Sequence, residues 1–353
     1  MKKRRSSRVL NLGGVQIGGA YPVRIQSMTN TKTADIPATL VQIEALVGAG
    51  CDFVRLAVPD QAAAEALPAL VRAASCPLVA DIHFDYRLAL RAIEAGMAGL
   101  RLNPGNIGSA AGVQAVAAAA KDAGTVIRIG VNGGSLEKDL LEHYGGVTAE
   151  AMIESALRHC ALLEDCGFTD IKLSLKATSL PLTLAAYRGI AGRVDYPLHI
   201  GLTEAGTRLR GSIHSAMTIG ILLEEGIGDT IRVSLAGDPL AEVWTAKEIL
   251  RGLDLLPGGF TLIACPTCGR TEIDVEGIAR QIENALAGRE APRPVKIAVM
   301  GCVVNGPGEA RDADIGIAGG KGEGLLFCKG EICGKYANDH LAAALLAKLE
   351  EIL

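Results

Sequence analysis

The sequence predicts an α/β protein, a (β/α)8 TIM barrel followed by a smaller α/β domain. The chain has 353 residues, whereas a barrel of this kind takes about 250. Short apolar runs alternate eight times with amphipathic helical stretches, which favours parallel strands joined by right-handed crossovers. The composition then changes at Leu255-Leu256-Pro257-Gly258-Gly259, where a new alternating pattern begins. We therefore expect one domain over residues 1–255 and a second over 256–353.

The eight repeats define the predicted barrel. Its strands are Val23–Gln26, Phe53–Ala57, Leu78–Ile82, Gly99–Leu102, Thr125–Val131, Asp170–Leu175, Leu198–Leu202 and Thr230–Leu235. The helices are Ala38–Ala49, Ala62–Ala73, Arg87–Ala95, Ala111–Ala123, Ala149–Cys166, Thr183–Ala191, Ser212–Glu225 and Ala241–Arg251. An open doubly wound sheet is the structural alternative. It would carry a glycine-rich phosphate turn after its first strand, and the sequence has none there.

The second domain repeats the same alternation over about a hundred residues. A strand at Phe260–Ala264 leads into a cysteine-containing turn and then a helix over Ile273–Leu286. Further strands are expected at Lys296–Met300, Asp314–Ala318 and Leu325–Phe327, and a terminal helix over Asn338–Leu353.

Composition and charge exclude several classes of protein. Hydrophobic residues make up 49% of the chain and charged residues 21%, so the chain forms a large core and is not disordered. A net charge of −4 and an aromatic content of 3% argue against nucleic-acid binding. No run of about 18 apolar residues predicts a membrane span. The basic start is followed by a polar, glycine-broken segment, so we expect no export signal and a cytoplasmic protein.

Basic residues stand where the predicted strands end, which is where barrel enzymes carry their chemistry. They are Arg55, Arg101, Arg128, Lys176 and Arg232. A single arginine there is commonly solvated or paired with a carboxylate, and Asp81 and Glu204 are available. Five cations at one mouth instead favour a site for a small, highly charged anion such as a diphosphate, which arginine binds in a bidentate manner.

Other polar residues at the same strand ends are weaker candidates. Asn103 and Asn132 offer neutral donors to an anion. His83 and His199 fit either the site or a half-buried, hydrogen-bonded position. Lys172 lies four residues before Lys176 on the same face of its strand, so the sequence does not decide which of the two lysines faces the site.

Three cysteines follow two predicted strands of the second domain. Cys265 and Cys268 form a Cys-x-x-Cys turn, a common way to place two thiolates on one metal or cluster. Cys302 begins a loop that continues through Gly306-Pro307-Gly308 to Glu309. A thioredoxin-like redox pair explains the first two cysteines but not the third. A carboxylate beside three thiolates makes an exchangeable fourth position on iron, so Glu309 favours a catalytic cluster.

Structural zinc is the alternative for these cysteines. It requires a fourth cysteine or histidine, and the nearest cysteines are Cys328 and Cys333. We interpret these two as incidental thiols beside a turn. The odd count of nine cysteines also argues against a disulfide framework.

The motifs together resemble the family of 4-hydroxy-3-methylbut-2-enyl diphosphate synthases, iron–sulfur enzymes of the non-mevalonate isoprenoid pathway. The resemblance covers most of the chain, in the family's order, and is to the short bacterial form. The matching segments are Val23–Thr31, Val54–Asp60, Ala80–Phe84, Arg101–Gly108, Gly201–Gly206, Cys265–Arg270 and Gly301–Ala310.

This resemblance implies a reaction and a cofactor. The enzyme would open 2-C-methyl-D-erythritol 2,4-cyclodiphosphate reductively, remove a hydroxyl group as water and form 4-hydroxy-3-methylbut-2-enyl diphosphate. Two electrons would come from reduced flavodoxin or ferredoxin through a [4Fe–4S] cluster. The family is a homodimer, which the sequence alone does not indicate. The implied cluster ligands are Cys265, Cys268, Cys302 and Glu309.

The resemblance also assigns residues in the two domains. The diphosphate would lie in the barrel mouth against residues matching Arg55, Arg101, Arg128, Asn132, Lys176 and Arg232, with Asp81, His83 and Asn103 in the same mouth. The resemblance makes Glu204 the proton-donor candidate and would place both Glu204 and His199 near the reacting carbons. Asn305 would face the substrate from the cluster side.

Two other functions remain as alternatives. A barrel lyase or transferase of the pterin-binding type, with structural zinc on the cysteines, shares the anion-binding mouth but needs no electron donor. An iron–sulfur sensor that binds nucleic acid shares the cysteines, but the net charge of −4 argues against it.

Overall fold

Eight parallel strands form a barrel in the first of two units of this chain. The structure is a computed structural model that describes residues 2–256, 258–286, 289, 291–302 and 312–353. The chain divides into Met1–Leu255 and Leu256–Leu353. A hairpin of β1 (Leu10–Leu12) and β2 (Val15–Ile17) precedes the barrel strands. These are β3 (Arg24–Met28), β4 (Phe53–Ala57), β5 (Leu78–Asp81), β6 (Gly99–Leu102), β7 (Val126–Asn132), β8 (Ile171–Lys176), β9 (His199–Ile200) and β10 (Thr230–Ile231).

The strand order closes the sheet and confirms the predicted (β/α)8 barrel. Neighbours run β8-β7-β6-β5-β4-β3-β10-β9, and every pair is parallel. A parallel bridge between Leu173 on β8 and Leu198, just before β9, joins the two ends. Parallel strands need long crossovers, and helices supply them here.

Helices alternate with the strands and cover the outside of the barrel. They are α1 (Ile36–Gly48), α2 (Gln61–Ala73), α3 (Tyr86–Glu94), α4 (Ala110–Ala123), α5 (Lys138–Tyr144), α6 (Ala149–Glu164), α7 (Leu180–Ala191), α8 (Arg208–Glu224) and α9 (Pro239–Gly252). Several begin at a side-chain cap: Asp60 accepts from the Ala63 amide at 2.9 Å, and Thr148 from the Ala151 amide at 3.1 Å. Such caps satisfy amides that have no partner within the helix. The short helix α5 was not predicted.

The last two barrel strands are shorter than predicted. The sequence predicts strands over Leu198–Leu202 and Thr230–Leu235, but β9 and β10 have two residues each. The chain leaves the ladder at Gly201, whose φ of 156° places it outside the usual strand region. The apolar residues that follow belong to loops at the barrel mouth. A prediction from hydrophobicity alone therefore overestimated the length of these strands.

The hairpin β1–β2 was also missed by the sequence prediction. Its turn is Gly13-Gly14, both with positive φ, which glycine adopts without steric cost. Leu10, Leu12 and Ile17 pack with the barrel residues Phe53, Val79 and Val126 in one buried cluster. The hairpin therefore adds apolar packing to the barrel.

Over its described residues, the second unit is a five-stranded mixed sheet with two helices. Its elements are β11 (Gly259–Ala264), α10 (Val275–Leu286), β12 (Pro294–Met300), β13 (Ile315–Ala318), β14 (Glu323–Cys328), β15 (Glu331–Ala337) and α11 (Leu341–Ile352). Strands β11, β12 and β13 pair in parallel, and β14 pairs antiparallel with both β13 and β15. Strand β15 was not predicted, because most of its residues are exposed and show no alternating apolar pattern. The terminal helix begins at Leu341, after a 3-10 turn over Asn338–His340.

Candidate active site

A cavity of about 490 Å³ opens where the barrel strands end at their carboxyl side. It is lined by Arg55, Asp81, His83, Arg101, Arg128, Asn132, Lys176, Thr203, Glu204, Gly206, Arg232, Ser234, Leu235, Ala236 and Glu242. All five predicted cations are among these residues, as are four other predicted residues. The barrel brings them together because parallel strands end at one rim.

Asp81 ties several cations of the cavity into one network. Its carboxylate lies 3.7 Å from Arg55 Nε, 3.4 Å from Arg101 Nη1 and 3.6 Å from His83 Nε2. Burial would raise the pKa of Asp81, but Arg55, His83, Arg101 and Arg128 together hold it well below its usual range. Asp81 is therefore ionised and orients the arginines on this side of the cavity.

Arg128 and Lys176 are buried cations with few counter-charges. Burial lowers the pKa of Arg128 far below its usual value, and the nearby Arg55 and Arg101 lower it further. Burial also lowers the pKa of Lys176, and repulsion from the charges of Arg128 and Arg232 lowers it further. Crowded buried cations of this kind are relieved by a bound anion, which stabilises their charged forms.

Donors without partners point to the same kind of ligand. Arg128 donates from Nη1 to Ser174 Oγ at 2.6 Å, but its Nε and Nη2 have no hydrogen-bond partner in the described part of the chain. The same holds for Nε of Arg232. Buried donors are normally satisfied, so these atoms are available to hydrogen-bond acceptors of a ligand.

Two glycines make room for the cationic side chains. A Cβ on Gly130 of β7 would lie 2.6 Å from Arg101 Nε, and Arg101 Nη2 donates to the Gly130 carbonyl at 3.1 Å. A Cβ on Gly201 would lie 3.0 Å from Lys176 Nζ and 2.3 Å from the Arg232 carbonyl oxygen. At both positions the missing side chain lets a cation lie against the backbone.

The structure distinguishes the two lysines on β8. Lys176 lines the cavity. Lys172 is 1% exposed, and its Nζ lies 4.6 Å from the centroid of the Phe53 ring, a cation–π contact inside the barrel. Lys176 is thus the one placed to meet a ligand in the mouth.

Two predicted site residues lie in the barrel wall and not on the cavity surface. His199 is fully buried, and its Nδ1 lies 2.8 Å from Thr230 Oγ1. Burial and then Lys176 lower the pKa of His199 far below its usual value, so its ring is neutral. Asn103 accepts the Gly130 amide through Oδ1 at 2.9 Å and so holds β7 beside β6. Both side chains thus contact neighbouring strands, and their predicted roles at the site stay predictions.

Glu204 differs from the other carboxylates of the cavity. It is exposed, and its φ of 52° is in the left-handed region that non-glycine residues seldom occupy. Holding a residue there costs on the order of 1 kcal/mol or more. The loop after β9 thus directs a strained, solvent-accessible carboxylate to the cavity.

Glu242 lines the cavity and was not predicted. It is 4% exposed, lies in the first turn of α9 and accepts hydrogen bonds from Ser27, Arg232 and Leu235. Thr203 and Ser234 also line the cavity without having been predicted. The one available sequence signal for Glu242 is an acidic residue in a helix turn ten positions after a strand-end arginine, which is too common to single out.

Cys265, Cys268 and Cys302 follow the carboxyl ends of two neighbouring strands, at one edge of the sheet in the second unit. Cys265 directly follows β11, and its amide donates to the Val299 carbonyl on the parallel neighbour β12 at 2.9 Å. Cys302 follows the end of β12 by two residues. The turn after Cys268 reaches the same place, because the Glu272 amide donates to the Gly301 carbonyl at 2.8 Å.

These thiols are suitable ligands for a metal cluster, because thiolates bind iron and because all three follow strands that end at the same edge of the sheet. Among the residues that the structure describes, no three cysteine, histidine or acidic side chains are gathered so that they could hold one metal ion. Glu309 and Asn305 lie outside the described residues, so their predicted roles stay predictions. Cys328 and Cys333, interpreted as incidental thiols, have their Sγ atoms 2.9 Å apart across β14 and β15.

Comparisons with known proteins cover both units. Residues 7–247 match the model of the GcpE TIM-barrel domain, and residues 261–351 match that of the GcpE protein C-terminal domain. A protein of Geobacter sulfurreducens named 4-hydroxy-3-methylbut-2-en-1-yl diphosphate synthase (flavodoxin) is 58% identical over 347 residues, 98% of either chain. A protein of the same name from Caldanaerobacter subterraneus is 52% identical over 353 residues, covering 100% of this chain and 99% of that one.

A solved structure shares only the barrel fold. Dihydropteroate synthase from Stenotrophomonas maltophilia aligns with 71% of this chain and 100% of its own at a TM-score of 0.51 and 14% identity. Identity this low carries no inference about activity. None of the helices in the described ranges has the length and apolarity to cross a membrane.

Proposed function

The chain belongs to the GcpE family, and on that premise we propose that it has the activity named for its relatives, 4-hydroxy-3-methylbut-2-en-1-yl diphosphate synthase, with flavodoxin as the electron donor. The observation that carries this proposal is the cationic cavity in the barrel mouth. A redox enzyme acting on a diphosphate needs such a cavity, whereas a generic barrel does not. The pterin-type alternative shares the barrel fold and an anion-binding mouth, but the family match and the relatives' name favour the synthase.

The proposed substrate is 2-C-methyl-D-erythritol 2,4-cyclodiphosphate. The reaction breaks the bond between a ring carbon and a diphosphate oxygen, takes up two electrons and releases one hydroxyl group as water. The diphosphate stays attached at the other end and becomes linear. The enzyme must therefore bind the diphosphate firmly while the carbon end reacts.

The cavity supports diphosphate binding by its charge balance. Five basic side chains and three carboxyl groups line it, so basic groups outnumber acidic ones. A cyclic diphosphate is a dianion, which such an excess of basic groups favours. Arg101 and Arg128 supply paired donors to phosphate oxygens, and Lys176 and Asn132 supply single ones.

Glu204 is the proposed proton donor to the departing hydroxyl group. Its carboxyl group is exposed to the cavity, whereas Asp81 is ionised by its cations and Glu242 is engaged by three donors. Of the lining carboxyl groups, Glu204 is therefore the one able to take a proton from solvent and pass it on.

A [4Fe–4S] cluster would be held by Cys265, Cys268, Cys302 and Glu309, and it would supply single electrons that side chains cannot. The thiols on the sheet edge are suitable donors, and Asn305 would face the substrate. Residues of the second unit then serve the cluster, and residues of the barrel serve the diphosphate. We place this enzyme in the cytoplasm, where thiols stay reduced.

We further propose a homodimer, as in the resembling family. Exposed apolar side chains on α8 support it: Leu209 is 74% exposed, and Ile213 and Met217 are each 50% exposed. Spaced by four residues, they form one stripe on the helix. Contiguous apolar patches of this kind commonly mark protein–protein interfaces.

An anaerobic assay tests the proposed function. The protein is reconstituted with iron and sulfide and mixed with the cyclic diphosphate and dithionite, and the linear diphosphate is measured. Product formation with brown, iron-loaded protein is expected. A colourless protein that binds zinc stoichiometrically and forms no product would overturn the proposal in favour of the zinc-containing alternative.

A further inference from the structure

We infer that Glu242 is a positioning residue that holds Arg232 and the loop after β10 in the geometry that binds the anion. The inference rests on the proposed function, since it concerns the same cavity. Glu242 has no role in the sequence motifs discussed above. It is a buried carboxylate in a cavity that selects for anions, a placement that needs a reason.

Glu242 joins three separate parts of the barrel wall. Its Oε2 accepts from Ser27 Oγ on β3 at 2.9 Å. Its Oε1 accepts from the Leu235 amide at 3.0 Å and from Arg232 Nη2 at 3.3 Å. The carboxylate itself belongs to α9. Three bonds to two segments, β3 and the loop after β10, fix the side chain of Glu242 and tie these segments to α9.

The last two barrel strands, which precede Glu242 in the chain, are the shortest of the barrel. Strands β9 and β10 have two residues each, whereas β7 has seven and β8 has six. Only two residue pairs join β10 to β3. The loop residues Leu235 and Ala236, which line the cavity, lie beyond this short ladder. Backbone bonds hold this loop on the β9 side, where the Ala236 amide donates to the Gly206 carbonyl at 3.0 Å. On the β3 side, the side-chain bonds to Glu242 tie it to the neighbouring strand.

Charge and position make opposite predictions for Glu242. Removing its negative charge leaves the cavity more cationic, which by itself strengthens anion binding. Removing its hydrogen bonds releases Arg232 and the Leu235 loop, which weakens anion binding. Arg232 Nε has no partner in the described part of the chain, so its orientation depends on the contact through Nη2. If position dominates, losing an anionic residue must weaken the binding of an anion.

Calorimetric titration with inorganic pyrophosphate separates these effects without depending on turnover. The variants are Glu242→Ala, which removes both oxygens, and Glu242→Gln, which keeps one acceptor for Arg232 and Leu235. The matched control is Glu248→Ala on the same helix, whose side chain is 42% exposed and pairs with Arg251 outside the cavity. Circular dichroism melting checks that each variant folds.

We expect Glu242→Ala to weaken pyrophosphate binding about tenfold or more, Glu242→Gln to weaken it less than about threefold, and the control to be unchanged. In an Arg232→Ala background, Glu242→Ala should cause a smaller loss than in the unmodified protein, because the part of its effect that acts through Arg232 is already gone. Equal or tighter binding by Glu242→Ala would overturn the inference.

Further outcomes are also decisive. Should Glu242→Ala fail to fold, Ser27→Ala, which removes one of the three bonds, must still weaken binding, and unchanged binding would refute the positioning role. If the unmodified protein binds no pyrophosphate, the proposed anion site fails, and this inference falls with it. If that protein binds but all Glu242 variants match it, only the inference is refuted.

Discussion

Individual side chains in the barrel mouth are held by contacts that depend on the shape of the side chain as well as on its charge. Arg101 is 7% exposed, contacts Asp81 and His83, and donates to the Gly130 carbonyl. A guanidinium group makes these contacts with several donors at fixed angles, whereas an ammonium group is a single compact charge. The position therefore depends on arginine and not only on a positive charge.

Arg101→Lys should raise the KM for the cyclic diphosphate about tenfold or more, because a charge-assisted hydrogen bond contributes about 1.5–3 kcal/mol. The visible spectrum of the reconstituted protein should not change, since the barrel residue is no cluster ligand. Steady-state kinetics and iron content measure both. A KM within twofold of the unmodified protein would show that the anion does not contact Arg101.

Glu309 carries the proposed exchangeable ligand position, although it lies outside the described residues. Glu309→Cys should keep a stable cluster but lose most turnover, because a thiolate binds iron more tightly than a carboxylate and is not displaced by substrate oxygen. Glu309→Ala should lose both cluster stability and activity. Iron content and product formation are the measurements, and full activity in Glu309→Cys would contradict ligand exchange at this position.

A glycine on strand β7, Gly130, leaves room for the Arg101 side chain in the wall of the cavity. Because a Cβ on Gly130 would lie 2.6 Å from Arg101 Nε, Gly130→Ala must displace that guanidinium group. We expect substrate binding to weaken about tenfold, as for direct damage to Arg101. The control is Gly134→Ala in the following turn, where a Cβ would meet nothing within 4 Å. Equal kinetics of the two variants would contradict this account of β7.

The sheet edge after β11 and β12 should hold the cluster ligands. Changing Cys265, Cys268 or Cys302 to alanine should remove most bound iron, because each change deletes a thiolate ligand. Cys333→Ser on β15 is the matched control and should retain iron. Iron analysis after anaerobic reconstitution measures the effect. A full iron complement in Cys302→Ala would exclude this thiol as a ligand.

The stability of the folded chain should depend on pH through buried histidines. Burial lowers the pKa of His199 and of His159 below the ordinary value of about 6.5. Below that pH the unfolded chain binds protons that the folded chain does not, so the free energy of unfolding falls as pH falls. Each histidine contributes up to about 1.4 kcal/mol per pH unit.

Urea unfolding at pH 7.5 and pH 5.5 measures this slope. We expect lower stability at pH 5.5 and a smaller difference in His199→Asn than in the unmodified protein. His143→Asn, at an exposed position of α5, is the control and should keep the full slope. Equal unfolding free energies at the two pH values would show that the histidines are not buried in neutral form.

Local patterns in the sequence were sufficient for the barrel class, the ring of strand-end cations and the cysteine turn, because strand–helix alternation and motif spacing are properties of neighbouring residues. They failed where an element has no buried face, as in β15, or where apolar residues line a loop, as after β9 and β10.

The choice between Lys172 and Lys176, the burial of His199 and the position of Glu242 depended on contacts between distant segments. A short ladder at β10, a glycine beside Arg101 and a carboxylate on α9 act across the barrel wall. Such contacts follow from packing and charge in three dimensions, which no periodicity along the chain records.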